Sequence, residues 1–184
     1  MEMRKELLIA TWMLLPLLGT GCLNPFSPAQ DNRVERGAPL LKPVSPDNVL
    51  QNFRYAYQNR DLKAYESCLD ENFQFEWFDD EKGIWESYGK AEDLKRTEGL
   101  FKYFNKSIRL TWLGEPESSI EQSQGDNPFS ETRIVYLVGF ELVVLWQEYP
   151  AMGEWAHGQA EFKFRKDENT GFWYIVHWKD ESEF

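Results

Sequence analysis

The chain has 184 residues, 42% hydrophobic and 16% aromatic, and a formal charge of −11 from 20 basic and 31 acidic side chains. One domain's worth of length with that aromatic mass can bury a core, which excludes a chain disordered throughout. The acidic balance repels phosphate backbones and argues against a nucleic-acid partner.

The first segment reads as an address. Arg4 and Lys5 precede an apolar run of twelve residues, Leu7 to Leu18, and Gly19, Thr20 and Gly21 lead into Cys22. As helix that run spans about 18 Å, short of the roughly 30 Å of a bilayer core, so it is a secretory signal and not a span. Small residues running into a cysteine resemble the lipobox of bacterial lipoproteins, although Leu18 stands one place earlier than the leucine usual there. The resemblance implies removal of residues 1–21, acylation of Cys22, and a lipid bilayer as the partner held through that cysteine. By resemblance to Gram-negative lipoproteins, Leu23 implies an outer-membrane protein of the cell envelope facing the periplasm. The alternative is an ordinary signal peptide with an incidental Cys22.

If Cys22 carries lipid, Cys68 stands alone, which excludes an internal disulfide, a C-x-x-C pair and a zinc knuckle. Cys68 then reads as a small buried hydrophobe in a helix. Arg4 and Lys5 offset Glu2 and Glu6, so the mature chain keeps its full negative charge and membrane contact falls to the lipid.

Residues 22–44 hold four of the nine prolines and little periodicity, which predicts an extended tether. The domain is then 45–184. Ser45-Pro46-Asp47 is a helix start, and Val49, Leu50, Phe53, Ala56 and Tyr57 form one apolar stripe. Asp61 caps a second short helix with Leu62, Tyr65, Cys68 and Leu69 inward. Phe73, Phe75 and Trp77 then alternate as a half-buried strand, and a loop with Asp79, Asp80 and Gly83 follows. Ala91 to Asn105 is a third helix, its apolar side Leu94, Leu100, Phe101 and Phe104. From there the chain is β: Ser107 to Leu113, a polar loop Glu121 to Pro128, Glu131 to Tyr149, a turn Pro150 to Gly153, Glu154 to Arg165, and Phe172 to Trp178. Helices followed by a long antiparallel meander give an α+β class.

That order resembles the NTF2-like (cystatin-like α+β) superfamily, with the closest likeness in Val49 to Trp77 and in Thr170 to Asp180, where Trp173, Ile175 and His177 are spaced two apart. The resemblance implies N-terminal helices packed on a strongly curved, mostly antiparallel sheet, a cone with an apolar pocket. Superfamily members include isomerases, dehydratases, cyclases, assembly domains and binding proteins, and many pair as homodimers through the sheet. In steroid-isomerase-like members a Tyr on the first helix and an Asp ending the first strand transfer the proton. Laid on that pattern, Phe53 and Trp77 occupy those positions, and neither can act as an acid or base. A one-residue shift of the strand would bring Glu76 or Phe78 there instead.

Other chemistry rests on three residues. His157 and His177 fall on neighbouring strands without metal-ligand spacing. A turn at Pro150 to Gly153 places Phe162 opposite Glu141 and His157 opposite Trp146. Glu141 then shares an apolar face with Val135, Leu137, Val143 and Leu145, a setting that raises a carboxyl pKa and suits a general acid. A bulge or a solvent-facing edge is the alternative, and a slip of one residue reverses the assignment. Phe53 and Tyr57 on the first helix, with Trp77, Trp85 and Tyr88 at the pocket mouth, are the candidate ligand contacts. Asp79-Asp80-Glu81 and Asp180 to Glu183 read as solvated acidic surface. No nucleotide, serine-hydrolase or zinc-protease motif occurs, and no metal or cofactor is implied. The expectation is a lipid-anchored domain binding a small apolar ligand or a protein partner. A lyase or isomerase using Glu141 with a histidine, and a structural homodimeric module, are the alternatives.

Overall fold

The structure is a computed structural model and describes residues 39–122 and 132–183. The leader, Cys22 and most of the tether lie outside the described residues, as does most of the polar loop after Glu121.

The signals at Ser45 act as expected. Its side chain accepts the Asn48 N–H at 3.3 Å, Pro46 opens the helix, and Asp47 sits at its positive end. Helix α1 (Pro46–Asn59) stops at Arg60, whose φ of 55° closes it in the left-handed region. Asp61 accepts the Ala64 N–H at 3.0 Å and starts α2 (Leu62–Cys68). The chain continues as β1 (Leu69–Asp79), β2 (Ile84–Gly89), α3 (Lys90–Tyr103), β3 (Ser107–Gln122), β4 (Thr132–Gln147), β5 (Met152–Lys166) and β6 (Trp173–Glu183). The six strands form one curved sheet in the order β2-β1-β6-β5-β4-β3, antiparallel except for the β1–β6 pair.

Alternation fixes the two faces. Val138, Phe140 and Val144 of β4 and Ala156, Ala160, Phe162 and Phe164 of β5, all even-numbered, are buried on the concave face. Phe53 of α1 is the hub, with ring centroids 5.3 Å from Trp178, 5.5 Å from Phe162 and 5.3 Å from Tyr65. Burying rings of this size contributes on the order of 2–3 kcal/mol each before geometric gains. Asp70 is buried at the closed end and accepts Arg165 Nε at 3.1 Å, tying β1 to β5. The last residues before α1 are held to the domain: Leu41 exchanges two 2.8 Å hydrogen bonds with the Asn52 amide, and Pro43 accepts the Trp173 N–H at 2.7 Å.

Four sequence expectations need correction. β3 runs on past Leu113 to Gln122, into the loop expected from Glu121. Residues 84–89, read as loop, form β2, which pairs with β1 around the Asp79–Gly83 turn. β6 runs beyond Trp178 because Asp180 is paired on both sides, with Trp77 and with Ala160. The β4–β5 turn occupies residues 148–151, with Pro150 inside it, and a bulge lies between Leu145 and Gln147, so Glu141 pairs with His157 and Phe162 pairs with Tyr136. That register lies five residues from the expected one, and the odd slide exchanges the faces of β5 relative to β4.

Candidate functional site

The concave face of β5 has a gradient of bulk: Ala156, Gly158 and Ala160 at one end, Phe162 and Phe164 at the other. The phenylalanines fill the cone beneath α1, and the small residues leave a hollow. Gly158 lies so close to β6 that a Cβ there would meet the Glu181 carbonyl oxygen at 2.5 Å. The resulting cavity measures about 220 Å³. Its walls are Phe53 and Tyr57 from α1, Phe75 and Tyr88 from β1 and β2, Trp112 and Phe140 from β3 and β4, and Trp178 from β6. Asp93, Arg96 and Thr97 of α3 and Asp180 and Ser182 of β6 supply the polar groups.

Burial decides the electrostatics. Asp93 is 2% exposed and accepts the Tyr65 hydroxyl at 2.7 Å. Burial pushes its carboxyl up to about 6, against the pull of that hydrogen bond and of Arg96. Asp180 is also raised to about 6 by burial, although it accepts the Ser182 N–H at 3.0 Å. Burial, with Asp93 next, lifts the Tyr57 hydroxyl well above its usual value, so it stays a neutral donor. At the mouth the Arg96 guanidinium lies 4.7 Å from the Tyr88 ring centre and 6.0 Å from that of Trp77, while its Nε donates to Glu92 at 2.9 Å. Two carboxyls that can each hold or release a proton near pH 6, beside a neutral phenol, can bind a polar ligand group or exchange protons with it.

The structure gathers some of the expected residues and separates others. Phe53, Tyr57 and Tyr88 line the cavity. Trp77 stands just behind the wall, 5.1 Å from Tyr88 and 5.8 Å from Phe75. Trp85 is exposed, with Lys179 Nζ 4.1 Å above its ring. Glu141 falls between Phe140 and Leu142, which line the cavity, so alternation turns it to the convex face, where it pairs with His157. His177 lies on that same convex face next to Trp178, and its Nε2 is 3.0 Å from Glu76. The sheet therefore separates all three from the cavity.

Sequence reasoning missed Asp93 and Asp180. The buried face of α3 is Asp93, Thr97 and Phe101, an i, i+4, i+8 stripe beginning with a carboxylate; Leu94, Leu100 and Phe104 flank it, half-buried. That spacing was the available signal. Asp180 reads as surface within an acidic run, and only its pairing with Trp77 and Ala160 carries it to the concave side. Among the described residues, no group of three or more His, Cys, Asp or Glu side chains is arranged to hold a metal ion.

No protein-family model matches the chain, and no curated protein does. Solved structures do. A protein from Kribbella flavida superposes with a TM-score of 0.57 at 7% identity, covering 75% of this chain and 88% of that one. A protein of unknown function with a cystatin-like fold from Nostoc punctiforme gives 0.50 at 14% identity, covering 74% and 87%. A conserved protein from Planctomyces limnophilus gives 0.50 at 14%, covering 74% and 92%. The fold is NTF2-like. Identities this low speak for the fold alone, so the chemistry of this NTF2-like cone has to be read from its own cavity.

Proposed function

We propose that this protein is a lipid-anchored receptor for a small, mostly apolar molecule, held off an envelope membrane by its tether. The observation that supports it is the hollow of about 220 Å³, walled by aromatic rings and carrying polar groups at only a few points. A cavity of about 150 Å³ is enough for benzene, so a ligand with one ring and a short substituent fits. The anchor rests on the sequence around Cys22. The direct test is to purify the protein from its own membrane and extract it with organic solvent for mass spectrometry. A small molecule near one equivalent should leave the wild type and be missing from Ala160→Phe, which puts a ring into the hollow. An empty wild-type protein, or the same molecule in both, would refute the receptor reading. For the anchor, Cys22→Ala should lose labelling by a fatty-acid analogue and leave the membrane fraction; unchanged labelling would refute it.

A second reading has one observation of its own. Asp93 and Asp180 line the same cavity with carboxyls near 6, where one can take a proton while the other gives one. Isomerase or lyase chemistry in this chain would run through that pair and the Tyr57 hydroxyl, not through Glu141 and a histidine. Turnover of the extracted molecule that vanishes in both Asp93→Asn and Asp180→Asn would mark an enzyme; turnover surviving both would refute this assignment.

A further inference from the structure

The cavity holds an imbalance of charge. A buried carboxylate needs a cation or several donors to offset its lost hydration. Asp93 has the Tyr65 hydroxyl and the nearby charge of Arg96, whereas Asp180 has only the N–H and hydroxyl of Ser182, both neutral. Arg96 is the only basic side chain in the lining, and its Nε is already engaged by Glu92. Its position also shows what the rings accept, since a guanidinium rests on the face of Tyr88 at 4.7 Å. Among the described residues, the rings of Tyr57, Phe75, Trp112 and Trp178 line the same hollow, and Arg96 alone brings a cation to it. Aromatic walls whose carboxylates outnumber their one base are the chemistry that recognises organic cations.

We infer that the cavity takes a small organic cation, an alkyl- or arylammonium, whose charged nitrogen meets the Asp93 and Asp180 carboxyls and whose hydrocarbon lies against the rings. This inference rests on the receptor reading and narrows its ligand class. It also explains why two acids persist in an aromatic hollow, where a purely apolar ligand would gain nothing from them. The cation is admitted at the mouth beside Arg96, whose own charge is offset by Glu92.

The inference carries a pH signature. Asp93 faces Tyr57, Tyr65, Tyr88 and Arg96; Asp180 faces Tyr57, Tyr88 and Glu181. The tyrosines stay neutral, so the two aspartates are the groups of the cavity that titrate near pH 6. A bound cation favours their ionised forms. Binding at pH 6 therefore releases protons, and affinity falls as pH drops from 7.5 to 5.

The test compares phenyltrimethylammonium with its neutral isostere tert-butylbenzene. Both are titrated into the full chain in lipid nanodiscs, with free probe measured by dialysis against empty discs. The expected result is a cation preference of about tenfold or more at pH 7.5, the size expected of a desolvated cation–π and carboxylate contact. Calorimetry at pH 6 in buffers of different ionisation enthalpy should show proton release for the cation and none for the isostere. Asp180→Asn and Asp93→Asn should reduce the preference; if either variant fails to fold, the wild-type preference and proton release decide alone. Equal or tighter binding of tert-butylbenzene, abolished by Ala160→Phe, would overturn the cation inference and leave the receptor reading standing. Binding of neither probe would overturn both.

Discussion

Asp93→Asn should make this protein more stable at pH 7.5 and leave it nearly unchanged at about pH 3, where both folded and unfolded chains hold the proton. The Asp93 carboxyl titrates at about 6 in the folded chain against an ordinary value of 3.8, because burial disfavours its charge. Between those values the folded state binds more protons than the unfolded state, so this group's contribution to stability falls as pH rises from 4 to 6 and is flat above. The difference between 3.8 and about 6 corresponds to about 3 kcal/mol, a ceiling for what the charge costs at pH 7.5. Asparagine removes the charge but keeps a side-chain oxygen to accept the Tyr65 hydroxyl, so the variant should recover on the order of 1–3 kcal/mol of that cost. Urea unfolding of wild type and variant at both pH values reads it, and subtraction cancels the other carboxylates. The opposite sign at pH 7.5, with the variant less stable by more than about 1 kcal/mol, would mean that an ionised Asp93 is held by partners stronger than those described.

Two further outcomes follow from the packing. Phe162→Ala should cost about 3–5 kcal/mol by chemical denaturation, because Phe162 is 0% exposed and touches Phe53, Trp112 and Trp178; a cost below about 1 kcal/mol would show that the cone collapses around the gap. Glu141→Gln and His157→Gln should leave binding of phenyltrimethylammonium or any other cavity probe within about twofold, because the sheet stands between them and the hollow; a tenfold loss would place them in the site.

Much of the fold was legible because its signals are local. Ser45-Pro46-Asp47 and Asp61 announce helix starts through their own side chains, and Phe73, Phe75 and Trp77 alternate visibly. β2 carried no such signal: an edge strand is paired on one side only, and Ile84 to Gly89 has no clean alternation. The register of β4 and β5 depends on where the turn begins and on a bulge between Leu145 and Gln147: moving the turn by two residues slides the pairing by four, and the bulge adds the fifth that exchanges the faces. The candidate site was half legible. Phe53, Tyr57 and Tyr88 are large aromatics on predictable faces. Asp93 and Asp180 are not, since patterning assigns a lone acid to water and only tertiary pairing brings it inside. The cavity itself depends on the small side chains of Ala156 and Ala160, which matter only once α1 and α3 are seen to line the space across from them.

The most direct measurement of the central claim is the set of tryptophan indole ¹H–¹⁵N signals during titration with phenyltrimethylammonium. Trp112 and Trp178 line the cavity, whereas Trp85 and Trp155 are 42% and 52% exposed elsewhere. The account expects the signals of Trp112 and Trp178 to shift saturably, those of Trp85 and Trp155 to stay in place, and every shift to vanish in Ala160→Phe. Shifts confined to Trp85 and Trp155, or shifts that survive Ala160→Phe, would contradict it.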